Sequence, residues 1–353
     1  GRGDHNRCRG EERDHVDDVL EMDMEQLDWR SAFTGLVGLL IALVFVGAFG
    51  NAGVAAGIAV LFVVGADEDS HTGPDLAQLL LVLIGAVVTY AVGESTTSTA
   101  AAAIVFGLVA LGSTLLLLLG ERYAAVGTYS LMWAVIALTI GVTEATAGEM
   151  TVAFAAGGAV ALVVLFVSSV IGQRAGDEAT PSPDPHSKAG TQEAIITFSV
   201  VRAVAAALAV VIGFEWFADH PAWTVLTFVL VLRPPKEQAI AVAASRTLGT
   251  VAGVLIGMAA AQLVGDSLTA QLAAFLVAGF FMLATSGLNY AVSTAFTTAM
   301  LLLSERILHE DVYEAGWARL GATVAGVVIA FLAIGILGAI RSLRQPTKTE
   351  VTP

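Results

Sequence analysis

The chain alternates between long apolar stretches and short polar ones, and the apolar stretches have the length of membrane-spanning helices. Most of them run for about 15 to 25 residues, and a helix needs about 20 residues to cross roughly 30 Å of hydrocarbon. Because hydrocarbon contains no water to hydrogen-bond an open backbone, such stretches must be helical. The composition agrees, since 56% of the residues are hydrophobic, 14% are charged and the mean hydropathy is +0.78.

We therefore predict an all-α fold, a polytopic transmembrane helical bundle of about twelve helices. The predicted spans are 31–49, 52–65, 76–93, 97–119, 123–142, 149–171, 195–217, 222–232, 247–264, 269–286, 289–304 and 316–339. Two of these, 52–65 and 222–232, are short for a full crossing. We expect them to be tilted, broken or shielded by neighbouring helices, so the count of crossings is about ten to twelve.

A proline-rich polar stretch divides the chain into two membrane halves. The predicted organisation is a polar N-terminal tail (1–28), a first half (29–172), a flexible linker (173–192), a second half (193–340) and a C-terminal tail (341–353). An even number of spans in each half would make them parallel six-helix repeats. One offset of 172 residues aligns Val82-Leu83-Ile84-Gly85 with Val254-Leu255-Ile256-Gly257, Thr151-Val152-Ala153 with Thr323-Val324-Ala325, and Arg30 with Arg202. This common offset favours an ancient duplication.

The basic residues predict the orientation. Most of them fall on the side of the N-terminus, namely Arg30, Arg122, Arg174, Lys188, Arg202, Arg233, Lys236, Arg246, Arg341, Arg344 and Lys348. The opposite side has only Arg306 and Arg319. By the positive-inside rule, we predict a multi-pass protein of the cell membrane with both termini and the linker in the cytoplasm. The polar start of the chain shows no cleavable signal peptide, so the first membrane helix is expected to direct insertion.

The charge and the motifs exclude several classes of function. A net charge of −14 makes nucleic acid an unlikely partner, and three lysines beside fourteen arginines are typical of a salt-adapted, halophilic source. The sequence has no phosphate-binding Gly-Lys-Ser/Thr loop, no Gly-x-Ser-x-Gly elbow and no His-Glu-x-x-His helix. We expect no enzymatic activity, no cofactor and no metal site, and the single cysteine, Cys8, excludes an intrachain disulfide.

Arginines within apolar helices are the candidate functional residues, because a charge inside a membrane is costly and usually faces a partner or a water-filled path. Arg202 is predicted to lie roughly 10 Å into its helix. Arg246 precedes Gly249, Gly253 and Gly257, a spacing of small residues that indicates tight helix packing and an inward-facing arginine. Arg319 enters its helix from the other side of the membrane.

Each candidate has a structural alternative. The three arginines could reach the headgroups or pair with Glu215, Glu237 or Glu314 only to hold helices together. Trp223 could belong to an interfacial aromatic belt rather than contact a ligand. Arg233 and Lys236, around Pro234-Pro235, could attract anions to a cytoplasmic mouth or simply flank a capped turn. The remaining candidate lining residues are Thr250, Asn289, Tyr290, Thr297 and Thr298.

The second half resembles the membrane domain of the fusaric acid resistance protein-like (FUSC) family of transporters. The resemblance rests on the order and spacing of Arg202, Trp223, Arg233-Pro234-Pro235, Arg246-Thr247-Leu248-Gly249-Thr250-Val251-Ala252-Gly253, Tyr290, Thr297, Arg319, Thr323 and Gly326. The first half matches only in helix layout, because Pro74 and Ala147 stand where the offset would place partners of Arg246 and Arg319. Many bacterial relatives also carry a sizeable soluble region, which is absent between the two halves here.

The resemblance implies secondary efflux of aromatic or other organic acid anions, by a protein related to aromatic acid exporters and to the aluminium-activated malate transporters. The expected partners are a small organic anion and the lipid bilayer, with a homo-oligomer possible. Two other functions stay open from the sequence. One is an anion channel that uses the same arginines without alternating access and resembles the malate channels. The other is a non-transporting membrane protein in which the arginines are structural.

Overall fold

A computed structural model describes residues 40, 44, 52–65, 75–141, 146–175, 192–232, 239–285, 289–307 and 311–344, and every structural statement below concerns these residues. They form eleven α-helices and no strand, which confirms the all-α prediction. The helices are α1 (Gly53–Gly65), α2 (Leu76–Ser95), α3 (Thr99–Leu115), α4 (Glu121–Gly141), α5 (Ala147–Ala175), α6 (Gln192–Trp216), α7 (Ala222–Val231), α8 (Ala239–Val264), α9 (Leu268–Ala284), α10 (Tyr290–Ile307) and α11 (Val312–Arg344). The predicted span 31–49 lies outside the described residues except for Leu40 and Val44, which are helical.

Six of these helices are long and apolar enough to cross a membrane: α2, α3 with its 3₁₀ extension to Leu119, α5, α6, α8 and α11. A polytopic helical bundle is therefore confirmed. The span predicted at 247–264 forms the greater part of α8, which begins earlier, at Ala239. The Ala and Val residues before Arg246 continue the helix, so the buried arginine lies within it.

Polar side chains at the connections fix where several helices begin. Asp75 caps α2, because its carboxylate accepts a hydrogen bond from Gln78 N at 3.0 Å while the Gln78 side chain accepts from Asp75 N at 2.8 Å. The side chains of Ser98 and Ser267 cap α3 and α9 in the same way. These caps satisfy amide groups that have no partner within the helix.

By spatial clustering the chain divides into two compact units. Among the described residues, the small unit comprises Ala244–Gly316, and the large unit comprises those that fall within Val37–Ala243 and Trp317–Pro353. This division reflects spatial packing and does not test the boundaries predicted for the two halves of the sequence.

The large unit is packed through small residues that bring helix backbones together. A Cβ atom on Gly157 of α5 would lie 2.6 Å from Ala56 Cα of α1, and one on Gly158 would lie 2.7 Å from the methyl groups of Val82. Around this contact lies an apolar core of Val60, Val63, Leu81, Val82, Val126, Ala161 and Leu165. Close backbone approach is how helices associate in lipid, where apolar surfaces gain little by leaving the solvent.

Large aromatic rings fill the interior between α2, α4 and α5. Trp133 of α4 is fully buried, donates from Nε1 to Thr89 Oγ1 at 2.7 Å, and packs against Phe154 with ring centroids 4.5 Å apart. The Thr89 hydroxyl in turn donates to Gly85 O at 2.6 Å. The buried polar atoms of this contact are therefore hydrogen-bonded.

In the small unit, α8 packs along α10 in parallel. Successive glycines of α8 meet successive turns of α10: a Cβ on Gly249 would lie 2.7 Å from Thr294 Cβ, one on Gly253 would lie 2.6 Å from Thr298 Cβ, and one on Gly257 would lie 3.0 Å from Leu302 Cβ. The glycine spacing predicted this tight packing correctly. Helices α8 and α10 run parallel and are connected by α9. This is the arrangement expected if each of the three helices crosses the membrane in turn.

The corresponding helix pairs of the two halves meet at nearly the same separation along the sequence. Thr89 and Trp133, which join α2 to α4, are 44 residues apart. Gly257 and Leu302, which join α8 to α10, are 45 residues apart. This agreement favours the proposed duplication, which stays a prediction.

The short helix α7 is enclosed by its neighbours. Eight of its ten residues are buried. A Cβ on Gly213 of α6 would lie 3.0 Å from the carbonyl carbon of Pro221, and one on Gly326 of α11 would lie 2.6 Å from Thr224 O. A helix of this length covers about 15 Å, half the hydrocarbon thickness, so protein rather than lipid must surround it.

We expect Gly157→Ala to destabilise the folded protein by about 1–3 kcal/mol, because the added methyl group meets the α1 backbone, which has no flexible side chain to move aside. Thermal unfolding in lipid nanodiscs would measure the change. The matched control is Gly148→Ala at the start of the same helix, where nothing lies within 4 Å of the new Cβ. Equal melting temperatures for the two variants would contradict the close α1–α5 contact.

Candidate functional site

All three arginines singled out in the sequence are buried within helices. The exposed fraction is 5% for Arg202, 3% for Arg246 and 0% for Arg319. Arg202 lies ten residues past Gln192, about 15 Å into α6 and deeper than predicted, because α6 begins at Gln192. Since a guanidinium keeps its charge in proteins, each of these side chains places a positive charge in an apolar helix bundle.

In the large unit, Arg202 binds a threonine from the first half of the sequence. Its Nη1 donates to Thr114 Oγ1 of α3 at 3.2 Å, and that hydroxyl donates to Ala110 O at 2.8 Å. The Arg202 guanidinium also lies 6.0 Å from the centroid of the Phe198 ring. Among the described residues Arg202 forms no ion pair, and Glu215 lies exposed at the far end of the same helix. Glu237, another partner considered from the sequence, lies outside the described residues.

Arg319 and Trp223, also in the large unit, are brought together. The guanidinium carbon of Arg319 lies 5.2 Å from the centroid of the Trp223 ring, a cation–π distance. The imidazole of His220 stacks on Trp223 with centroids 3.9 Å apart and planes 8° apart. Trp223 is only 2% exposed, so it is a buried partner of Arg319 and not a lipid-facing member of an aromatic belt. The His220 contact was not anticipated from the sequence.

The small unit contains Arg246 and a row of buried hydroxyls. Thr250 lies one turn after Arg246 on α8, while Thr294 and Thr298 lie on α10 where it meets Gly249 and Gly253. Among the described residues, the Nε and Nη2 atoms of Arg246 and the three hydroxyl oxygens have no hydrogen-bond partner. These groups offer unused hydrogen-bonding capacity inside the protein.

Other predicted lining residues have local roles. The Asn289 side chain accepts a hydrogen bond from Ala291 N at 2.8 Å and so caps α10. The Thr297 hydroxyl donates to Ser293 O at 2.7 Å, within its own helix. Tyr290 begins α10, one turn before Thr294. Arg233 and Lys236 lie outside the described residues.

Taken together, these elements define a multi-pass α-helical membrane protein with positive charges buried in its helices. Residues 203–333 match the model of the family described as fusaric acid resistance protein-like. Over 118 residues, the chain is also 30% identical to the inner membrane protein YccS of Escherichia coli (strain K12), an alignment that covers 33% of this chain and 16% of YccS. No solved structure matches the chain.

These similarities support the resemblance inferred from the sequence for the second half. The matched segment begins one residue after Arg202 and contains both Arg246 and Arg319. The aligned part is about a sixth of YccS, so the relative extends well beyond the region of likeness.

We expect Thr114→Val to destabilise the protein by about 1–3 kcal/mol, because it leaves a buried guanidinium nitrogen without its acceptor. Adding Arg202→Leu to Thr114→Val should recover most of that loss, since replacing both polar partners with apolar groups removes the unsatisfied atom. Thermal unfolding of both variants would test this. The control Thr128→Val removes an exposed hydroxyl bonded to Ala124 O and should change little. A double variant no more stable than Thr114→Val would show that Arg202 has a further structural partner.

Proposed function

We propose that the chain is a secondary transporter of the cell membrane that exports organic anions, with aromatic or other organic acids as substrates. The observation that carries the proposal is Arg246, which is 3% exposed and has two nitrogens without partners among the described residues. Burying an uncompensated charge costs several kcal/mol, so such a group is expected where a negatively charged ligand compensates it.

The other buried arginines support the same conclusion. Arg202 binds only a neutral hydroxyl among its described hydrogen-bond partners, and this contact leaves its positive charge in place. The guanidinium of Arg319 lies over the ring of Trp223. Positive potential near these side chains favours anions over cations. Both arginines belong to the half of the sequence that resembles the family.

The direction of transport follows from the family resemblance and the predicted topology. With both termini in the cytoplasm, α8 and α10 would begin on the cytoplasmic side, and Arg246 and Tyr290 near their starts would meet an anion leaving the cell. Arg319, seven residues into α11, would lie toward the outer side.

The test is uptake of labelled benzoate and malate into proteoliposomes, with and without a pH gradient. We expect saturable flux in the wild type and at least a tenfold loss in Arg246→Leu, which corresponds to about 1.4 kcal/mol or more of lost anion stabilisation. The matched control is Arg306→Leu, which removes an exposed arginine whose Nη2 pairs with Asp266 Oδ1 at 2.6 Å and should retain flux.

The alternatives give different results. Single-channel currents in a planar bilayer would identify an anion channel with the same buried charges. A well-folded wild type that neither binds nor moves any carboxylate would overturn the proposal and favour a structural role for the arginines.

A further inference from the structure

Most hydroxyl groups in these helices are bonded within their own helix. Those at the α8–α10 contact are among the exceptions, together with Ser130 of α4 and Thr224 and Thr227 of α7. The hydroxyls of Thr89, Thr114, Thr151, Thr197, Thr297 and Thr323 each donate to the carbonyl four residues earlier. The fully buried hydroxyls of Thr250, Thr294 and Thr298 make no hydrogen bond among the described residues. These three hydroxyls therefore do not donate to the carbonyl four residues earlier, as the others do.

The packing shows how Thr294 and Thr298 meet α8. A Cβ on Gly249 would lie 3.0 Å from the Thr294 methyl carbon, so it is the methyl group of Thr294 that faces α8. A Cβ on Gly253 would lie 2.6 Å from Thr298 Cβ, one turn further along. Because each glycine lacks a side chain, a threonine of α10 packs directly against α8 at both positions.

Arg246 lies about one turn before Gly249 on α8 and offers a defined hydrogen-bonding edge. Its Nε and Nη2 lie along one edge of the planar guanidinium, and their N–H bonds point the same way. These two atoms lack partners among the described residues. Parallel N–H groups of this kind match the two oxygens of a carboxylate, which arginine binds as a bidentate pair.

We infer that the α8–α10 contact of the small unit is a carboxylate-binding site. The Nε–Nη2 edge of Arg246 is the primary hydrogen-bond donor, and the hydroxyls of Thr250, Thr294 and Thr298 are further donors. This inference rests on the proposed function and names its ligand group. Thr294 meets α8 about one turn past Arg246, and Thr298 about two turns past it. A carboxylate has about four lone-pair positions, so hydroxyls can bind it beyond the two that the arginine fills.

The site chemistry predicts which anions it prefers. A planar carboxylate uses both nitrogens of the arginine edge, whereas chloride is spherical and gains little from their fixed geometry. Lysine in place of arginine would keep the charge and lose the paired donors. Arg246→Lys should therefore weaken carboxylate binding while leaving chloride binding nearly unchanged.

The experiment measures binding of benzoate, malate, inorganic phosphate and chloride to the purified full chain in lipid nanodiscs. We expect Thr294→Val and Thr298→Val each to weaken benzoate and malate binding about tenfold, and Thr250→Val to have a similar effect, because each change removes one hydroxyl to a charged ligand. The matched control is Thr151→Val on α5, whose hydroxyl donates to Ala147 O at 2.7 Å and should leave binding unchanged. Thermal unfolding of every variant would verify that it is folded.

The possible outcomes separate this inference from the proposed function. If Arg246→Leu abolishes carboxylate flux but the three threonine variants bind like the wild type, the hydroxyl site is wrong and the transporter stands. If Arg246→Lys binds carboxylates like the wild type, the paired N–H groups of Arg246 are not what holds the carboxylate. Stronger binding of phosphate or chloride than of both carboxylates would overturn the ligand class, and a folded wild type that binds none of the four anions overturns both proposals.

Discussion

Close approach of helix backbones is the constraint on which the rest of this structure depends. Hydrocarbon competes with apolar side chains as a packing partner, so helices in lipid are held together where small residues let them touch. Gly157 does this for α1 and α5, Gly326 for α7 and α11, and Gly249 and Gly253 for α8 and α10. The polar residues of interest adjoin these glycines, since Thr250 follows Gly249 and Thr294 and Thr298 lie opposite α8. The elements that hold each unit together are therefore also the ones that position its polar groups.

The sequence predicted the helices and the buried arginines well, because both follow from one property, the cost of polar groups in hydrocarbon. It also predicted the tight packing of α8 from glycine spacing. It did not predict Thr114, since nothing local connects that residue to Arg202, which is 88 residues away. Thr294 was missed for another reason: a threonine in a helix usually bonds to its own backbone, and only the position of the opposing helix shows which hydroxyls do not. The sequence left the role of Trp223 open, because Arg319, whose guanidinium lies over its ring, is distant in sequence.

The two halves of the sequence differ in how they fill their interiors. In the first half, Trp133, Phe154 and Thr89 form a closed contact whose hydrogen bonds are made within the protein. At the offset of 172 residues, Gly326 stands in place of Phe154 and Glu305 in place of Trp133. The second half thus has a small residue and a charged one where the first has large rings.

The ten-residue length of α7 has a consequence for how the protein is made. A translocating ribosome releases helices in order, and a segment that covers about 15 Å of a bilayer roughly 30 Å thick is not stable alone in lipid. Contacts with α6 can form as soon as α7 emerges, but Gly326 and Arg319, which meet Thr224 and Trp223, belong to α11, four helices later in the chain. Helix α7 therefore stays incompletely enclosed until α11 has been synthesised. During that interval it depends on the insertion machinery for the shielding that α11 later supplies.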